Sequence, residues 1–259
     1  MKNNNTILTI KDINNILNKC YPYQDADIWD NVGLFRKSFK NKKVTKVLLA
    51  LDVSIDLINY AIINKIDLLI THHPIVIDKK ELKDKHIKLM VDQMKNNRIS
   101  LISLHTNFDK NKLGMNYQLS KKFNCSNSKK PFDNAYGNVF TLEKSIKEEN
   151  LIKLIKASLN CDYVITNELN NKKDIKTIYI CGGAGSSEVE YLIKKNKKID
   201  CYITGEIKWH LWNYAKDLNI KIIDVGHSIE NIFCETIKDK LKNEKIQCEI
   251  FDRQKLRLV

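Results

Sequence analysis

The sequence predicts an α/β fold in two lobes, with parallel or mixed sheets flanked by helices. First, apolar strand-like runs alternate with amphipathic helical segments over 46–104 and again over 177–241, a rhythm typical of parallel sheets. Second, polar residues directly follow several of these runs, as expected at the carboxyl edge of such a sheet. The chain has 259 residues, which suffices for one large α/β domain or for two lobes of ordinary size.

The first part of the chain opens with a capped helix. Thr9 precedes apolar residues spaced as on one helical face, and Asp12 stands at the capping-box position. The segment up to Lys43 lacks periodicity and is expected to be an ordered loop. Nearly continuous apolar runs then predict strands covered on both faces, with helices between them: strands at 46–53, 67–70 and 99–104, a helix capped by Ser54, and a helix at 81–98.

The middle of the chain gives a weaker signal, and the alternation returns after it. Between Asp109 and Lys176 we expect a helix at 149–159 and strands near 138–142 and 162–166. Beyond it, the pattern predicts strands at 177–181, 200–204 and 220–225, helices at 187–195, 207–217 and 227–241, and a final edge strand at 246–251.

Composition bounds the function classes. The formal net charge is +13, which invites a nucleic-acid interpretation, but lysine and asparagine are abundant along the entire chain, so a solvated basic surface is favoured over a dedicated patch. Seven scattered cysteines without a CxxC pair indicate reduced thiols rather than a disulfide framework. No apolar run is long enough for a membrane span and the N-terminus is polar, so a cytoplasmic protein without membrane association is expected.

Two adjacent histidines, His72 and His73, follow the predicted strand at 67–70. Pro74 restricts His73 to extended backbone geometry, in which neighbouring side chains point to opposite sides. The pair is therefore suited to flank two metal ions rather than to crowd one.

Histidines and acids also follow two other predicted strands. His105 and Asp109 are four residues apart, and His227 and Glu230 are three apart, spacings that share one face if the segments are helical. Imidazole and carboxylate ligands together suit zinc, iron, manganese or nickel in a catalytic site with open positions. The sequence thus predicts a metal site at these strand ends, whereas His86 and His210 are expected to be ordinary histidines.

Other polar turns allow two interpretations. The glycine-rich stretch at 182–187 follows a strand and precedes a helix, where backbone N–H groups could cradle an anion, but a plain tight turn explains it equally well. Asp30, Asn31 and the stretch at 204–206 could line a crevice, although ordinary turns are the simpler interpretation.

With these residues assembled, the chain resembles the dinuclear-metal family known as GTP cyclohydrolase I type 2-like, or Nif-three-like. The resemblance runs through nearly the whole chain in ordered motifs at 29–34, 50–53, 71–74, 105–109, 182–186, 204–206 with His210, and 226–230. It implies two divalent metal ions per chain held by His72, His73, Asp109, His227 and Glu230. Asp109 would bridge the ions, and His105 would serve as an additional ligand or proton carrier. Family members place the last acid three or four positions after its histidine, and Asn231 at position four makes Glu230 the candidate here.

The resemblance also implies architecture and activity. It predicts a metal-bearing lobe over 1–108 plus 225–259, a second lobe over 109–224, a metal site between the N- and C-terminal parts, and assembly into hexameric rings. The implied activity is that of a metal-dependent hydrolase acting on GTP or another nucleotide-like small molecule. A non-catalytic metal-binding protein that binds nucleic acid or a protein partner is the alternative, and a third possibility is that the ions only stabilise the fold.

Overall fold

The computed structural model describes residues 7–125, 127–169, 173–242, 244 and 246–251. The chain divides into two compact units, Met1–Phe108 with Phe233–Val259, and Asp109–Ile232. The described residues form two five-stranded sheets, and helices flank both of them, which confirms the predicted α/β class. The predicted lobes, 1–108 plus 225–259 and 109–224, stay a prediction, because a compact unit is not in itself a folding domain.

The helices and strands follow the predicted alternation closely. The helices are α1 (Ile10–Cys20), α2 (Ile55–Ile63), α3 (Lys85–Asn96), α4 (Thr106–Lys110), α5 (Met115–Lys121), α6 (Glu148–Leu159), α7 (Ser186–Lys194), α8 (Trp209–Asp217) and α9 (Ile232–Lys242). The strands are β1 (Gly33–Leu34), β2 (Lys46–Ala50), β3 (Leu68–Thr71), β4 (Ser100–Ser103), β5 (Asn138–Ile146), β6 (Ile165–Thr166), β7 (Ile175–Cys181), β8 (Cys201–Thr204), β9 (Lys221–Asp224) and β10 (Gln247–Ile250). Among the described residues, no helix has the length and apolar character needed to cross a membrane.

The sheet of the first unit has the order β1-β4-β3-β2-β10. β2, β3, β4 and β10 are parallel, while β1 pairs antiparallel with β4. The predicted parallel strands and the predicted edge strand β10 are thus confirmed. The apolar runs of these strands match their burial in the core. Leu48, Leu69 and Leu101, for example, pack in one core cluster with residues of α2 and α3.

The sheet of the second unit has the order β5-β7-β8-β9-β6. β7, β8 and β9 are parallel, and the outer strands β5 and β6 are antiparallel to their neighbours. Buried aromatic residues on the sheet, Tyr179 and Tyr202, belong to one core cluster with Val189 and Leu192 of α7 and Leu211 of α8. This arrangement aligns the carboxyl ends of β7, β8 and β9.

Two predicted helices begin later than expected. A 3₁₀ turn at Lys79–Lys83 precedes α3, because the Asp84 side chain accepts hydrogen bonds from the backbone N–H groups of His86 and Ile87 and starts a new helix. Likewise, His227–Asn231 forms a 3₁₀ turn before α9. The capping box at Thr9 is confirmed, since Thr9 N donates to Asp12 Oδ2 at 2.8 Å and Asp12 N donates to Thr9 Oγ1 at 3.3 Å.

Asp67, just before β3, gives a test of local stability. Its Oδ2 accepts from Thr45 N at 2.8 Å and Lys46 N at 3.2 Å, and Lys42 Nζ lies 2.9 Å from its Oδ1. Burial favours the protonated form, but the bonds from Lys42, Thr45 and Lys46 outweigh it and lower the pKa of Asp67. We expect Asp67→Asn to lower the free energy of unfolding at pH 7 by about 1–2 kcal/mol, as typical for a lost charge-assisted hydrogen bond.

The pH dependence of this effect has a definite sign. Because the folded pKa is depressed, the Asp67 contribution is present above the unfolded value of about 3.9 and disappears as the pH falls through the folded pKa. Urea unfolding at pH 7 and pH 3 would measure it, with the exposed Asp239→Asn as the control. An equal loss of stability at both pH values would contradict the assignment.

Candidate metal centre

Three histidines meet at the carboxyl edge of the first unit's sheet. His72 and His73 follow β3 directly, and His105 follows the neighbouring parallel strand β4, whose Ser103 is in register with Thr71. The ring centroids lie 4.8 Å apart for His72 and His73, 5.2 Å for His72 and His105, and 5.3 Å for His73 and His105. Each ring offers one nitrogen such that the three nitrogens lie within 4.8 Å of one another. Adjacent strand ends thus assemble three imidazoles from two segments of sequence.

The tautomer of His72 follows from its hydrogen bond. The residue is fully buried, and its Nδ1 lies 2.7 Å from the carbonyl oxygen of Leu104. A carbonyl oxygen only accepts, so Nδ1 carries the proton and Nε2 carries the lone pair. Metal-binding histidines usually have this arrangement, because the second hydrogen bond fixes the ring and raises the basicity of the ligating nitrogen.

Carboxylates fix the other two rings in the same way. His73 Nδ1 lies 2.6 Å from Asp52 Oδ1, and His105 Nδ1 lies 3.0 Å from Asp30 Oδ1. Asp52 follows the end of β2, and Asp30 lies in the loop before β1. In all three rings the nitrogen bonded to an oxygen acceptor is Nδ1, which leaves Nε2 as the atom suited to ligate a cation.

Asp30 is more than a turn residue. Its Oδ2 accepts from Thr106 N at 3.0 Å and from Thr106 Oγ1 at 2.6 Å, and its side chain is buried. Burial raises the pKa of Asp30, but the hydrogen bonds from His105 and Thr106 outweigh burial, so the net pKa is lowered. Asp30 therefore does more than close a turn: it stays ionised and orients His105.

Asp109, His227 and Glu230 are the candidate donors within the second unit, and Glu230 lies near each of the other two. Asp109 lies on α4, and it and Glu230 each offer a carboxylate oxygen, the two lying within 4.8 Å of each other. Glu230 is buried in the 3₁₀ turn after β9, and its Oε2 lies 2.9 Å from His227 Nε2. In a 3₁₀ turn, residues i and i+3 eclipse, which explains why the spacing of three places this imidazole and carboxylate together.

The glycine-rich turn after β7 makes room for Glu230. Gly183 has φ +63°, and a Cβ on this residue would overlap Glu230 Oε1. Gly182 N donates to Asn116 Oδ1 at 2.8 Å, and Asn116 Nδ2 also contacts the carbonyl oxygen of Asp109 at 3.5 Å. The turn is thus built around a carboxylate of the protein itself, which favours the tight-turn interpretation over an anion cradle.

The chemistry of these donors suits a divalent cation. The first unit contributes three imidazoles, and the second contributes one imidazole and two carboxylates, a set that fits zinc, iron or manganese. Within the described part of the chain, no cysteine belongs to these groups. His86 is exposed on α3, and His210 is exposed with its Nε2 4.0 Å from Glu190; neither is in a donor group that the described residues form.

Sequence reasoning named all six candidate donors but missed the orienting role of two acids. Asp52 and Asp30 hold imidazoles at Nδ1, and each lies within a stretch already singled out, at 50–53 and 29–34. A sequence signal could have identified Asp52. It lies just after β2, and the neighbouring strand β3 is followed by the two histidines.

Comparisons with known proteins agree with this architecture. A GTP cyclohydrolase 1 type 2 homolog of Ureaplasma parvum is 32% identical over 235 residues, covering 89% of this chain and 88% of that protein. A protein of the same name from Campylobacter jejuni is 31% identical over 243 residues, covering 93% and 95%. The crystal structure of a hypothetical protein of Staphylococcus aureus superposes with a TM-score of 0.85 at 25% identity, covering 98% of this chain and all of that one.

The family match spans nearly the full chain. The model of the Duf34/NIF3 (NGG1p interacting factor 3) family matches residues 8–255, a range that includes both sheets and all six candidate donors. The chain therefore belongs to the Duf34/NIF3 family.

Proposed function

We propose that this protein is a metal-dependent hydrolase that holds two divalent ions through His72, His73, Asp109, His227 and Glu230. Its substrate would be GTP or another nucleotide-like small molecule. The observation that supports this most strongly is the fixation of three imidazoles at Nδ1, which leaves the Nε2 atoms of His72 and His73 for ligation and that of His105 for proton transfer. The names of the curated relatives, GTP cyclohydrolase 1 type 2 homologs, support the substrate class.

The chain's own residues would divide the work as follows. Bound divalent ions supply Lewis acidity and lower the pKa of water. His105 would accept a proton at Nε2 from the attacking water and later give it to the leaving group, as a general acid/base. Asp30, bonded to His105 Nδ1 at 3.0 Å, stabilises the imidazolium that forms and keeps Nε2 directed toward His72 and His73.

Metal analysis and product analysis together test this function. Protein purified without a metal-binding tag is expected to contain close to two ions per chain by elemental analysis, and to release formate from GTP or to hydrolyse a member of a nucleotide and phosphoester panel. Fewer than one ion per chain would contradict the two-metal mechanism. If the protein carries two ions per chain and converts no compound in the panel, the proposed hydrolase activity is contradicted.

A second candidate is a non-catalytic metal-binding protein that binds nucleic acid or a protein partner. The net charge of +13 favours it, because a basic surface attracts phosphates by counterion release. A steep dependence of DNA binding on salt, combined with no turnover of any substrate in the panel, would favour this candidate over the hydrolase. If DNA binding depends only weakly on salt, the positive charge is explained by an ordinary solvated surface.

Assembly and location belong to the same proposal. By resemblance we propose a homohexameric ring in the cytoplasm, which light scattering coupled to size exclusion and cell fractionation would test. A monomer at micromolar concentration would contradict the ring.

Gly183→Ala tests the carboxylate group of the second unit. The new methyl group would overlap Glu230 Oε1, and φ +63° at this position strains any residue with a Cβ. We expect metal affinity to fall by at least 10-fold and stability to fall by about 1–2 kcal/mol, measured by metal titration and urea unfolding. Ala184→Ser, at the exposed neighbouring position, is the control, and unchanged metal affinity in Gly183→Ala would exclude Glu230 as a ligand.

A further inference from the structure

Asn116 is a buried amide on α5 that bridges two backbone segments of the second unit. Its Oδ1 accepts from Gly182 N at 2.8 Å, and its Nδ2 donates to the carbonyl oxygen of Tyr136 at 2.8 Å. β5 and β7 pair antiparallel with Asn138 opposite Ile180, so the same register would place Tyr136 opposite Gly182. The amide therefore joins the two strands' backbones just beyond their last pair, where a ladder hydrogen bond would otherwise stand.

Lys130 donates to the same carbonyl and also to that of Asp109. Its Nζ lies 2.5 Å from the carbonyl oxygen of Tyr136 and 3.3 Å from that of Asp109, and Asn116 Nδ2 lies 3.5 Å from the latter. The last carbonyl groups of a helix lack intrahelical donors, and Asp109 stands one residue before the end of α4. An ammonium and an amide thus fix the main chain at a candidate metal ligand.

The other end of the Asn116 amide holds the turn that packs against Glu230. A Cβ on Gly182 would lie 3.5 Å from Glu230 Cγ, and a Cβ on Gly183 would overlap Glu230 Oε1. The backbone of this turn is therefore in close contact with the Glu230 side chain. A displacement of Gly182, which Asn116 holds through its N–H group, would change the position available to the Glu230 carboxylate.

Resting on the proposed function, we propose that Asn116 and Lys130 are positioning residues of the metal centre. They tie the main chain of Asp109 to the turn that contacts Glu230, and so set the separation of the two carboxylates. Each carboxylate offers an oxygen within 4.8 Å of the other, and two negative charges this close repel each other until a cation binds. A fixed main chain holds them at this separation beforehand, and loss of such outer contacts lowers metal affinity by about 10- to 100-fold.

Zinc affinity and the visible spectrum of bound cobalt(II) test this inference in the full chain without any turnover. Asn116→Ala is expected to bind zinc about 10- to 100-fold more weakly in competition with a chromophoric chelator, and to change the cobalt bands, which report the coordination geometry. Lys130→Met, which keeps the apolar stem and removes the ammonium, should change both readouts in the same direction.

Ser120→Ala is the matched control for the loss of a buried hydrogen bond on α5. Ser120 is fully buried one helical turn after Asn116, and its Oγ donates to the carbonyl oxygen of Tyr117 at 2.8 Å. This variant should lose stability in urea unfolding of the metal-free protein but keep the zinc affinity and cobalt spectrum of the wild type.

The outcomes separate this inference from the proposed function. If Asn116→Ala behaves as Ser120→Ala, with lower stability but unchanged zinc affinity and cobalt bands, Asn116 serves only the packing of α5 and the inference is overturned. If Asn116→Ala does not fold, Lys130→Met decides, and unchanged zinc affinity and cobalt bands in that variant overturn the inference.

Turnover distinguishes the two proposals further. Weaker zinc binding in both variants, with no compound of the panel converted by the zinc-loaded wild type, would support the positioning residues and contradict the hydrolase. Turnover by the wild type, with full zinc affinity in both variants, would support the hydrolase and overturn the positioning residues. A wild type that binds no zinc would overturn both proposals.

Discussion

His72→Ala is expected to lower metal affinity by more than 100-fold and to remove activity. His72 is fully buried, and its ring lies 5.2 Å from that of Phe233 and 6.2 Å from that of Phe108. Removing the ring deletes an Nε2 ligand, leaves a cavity and takes away the donor to the carbonyl oxygen of Leu104. The metal-free variant should therefore also lose about 2–4 kcal/mol of stability.

Urea unfolding with and without zinc distinguishes the lost ligand from the lost packing. A ligand that binds only the folded state raises the free energy of unfolding by about 2.7 kcal/mol at a concentration 100 times Kd. Zinc at that concentration should therefore stabilise the wild type by this amount and His72→Ala by almost nothing. His86→Ala, which removes an exposed histidine of the same unit, is the control and should behave as the wild type. Equal metal content in His72→Ala and wild type would show that His72 is not a ligand. The third possibility, that the ions only stabilise the fold, would be supported by a different result. The loss of stability would then be proportional to the metal lost, and neither the wild type nor the variant would show activity.

Glu188→Ala is expected to cause the largest loss of stability in the second unit, about 3–5 kcal/mol. The buried Glu188 carboxylate accepts from Tyr136 N at 2.8 Å, from Gly137 N at 2.7 Å and from the hydroxyl of Tyr179. Alanine would leave these donors buried without an acceptor. Gly137 cannot move aside easily, since even a Cβ there would overlap the Tyr179 ring.

Denaturation of the full chain would measure this effect, with Glu190→Ala on the same helix as the control. Glu190 is a surface residue that pairs with Lys194, and exposed pairs of this kind contribute little, so its removal should leave the unfolding midpoint nearly unchanged. Glu188→Gln, which keeps one carbonyl acceptor, should fall between the wild type and Glu188→Ala. Similar midpoints for Glu188→Ala and Glu190→Ala would show that Tyr136 and Gly137 find other acceptors.

The parallel core of each unit could be predicted because its physical cause is local in sequence. Strands covered on both faces need continuous apolar runs, and β2, β3 and β4 are apolar except at their terminal residues. The histidines could be found because ligands of open α/β sheets bind beyond the carboxyl ends of the parallel strands, where these histidines lie in the sequence. Their assignment as ligands stays a prediction.

Other features depend on contacts that the sequence does not encode locally. Among the four buried residues of α5, Asn116 and Ser120 are polar, beside Met115 and Leu119, so the helix has little hydrophobic contrast. The 3₁₀ turn at His227–Asn231 cannot be told from an α-helix over five residues. The bonds of Asp30 to His105 and Thr106 join segments that are 75 and 76 residues apart, beyond any periodicity.

One carboxylate, Asp30, anchors both the loop before β1 and the His105 ring. A change that shifts one of these elements therefore shifts the other, and a substrate bound against this loop and a cation at the imidazoles would bias the same small network. Thermodynamic linkage then requires reciprocity: the factor by which guanosine tightens zinc binding must equal the factor by which zinc tightens guanosine binding. Asp30→Asn would weaken both affinities and bring that shared factor toward one.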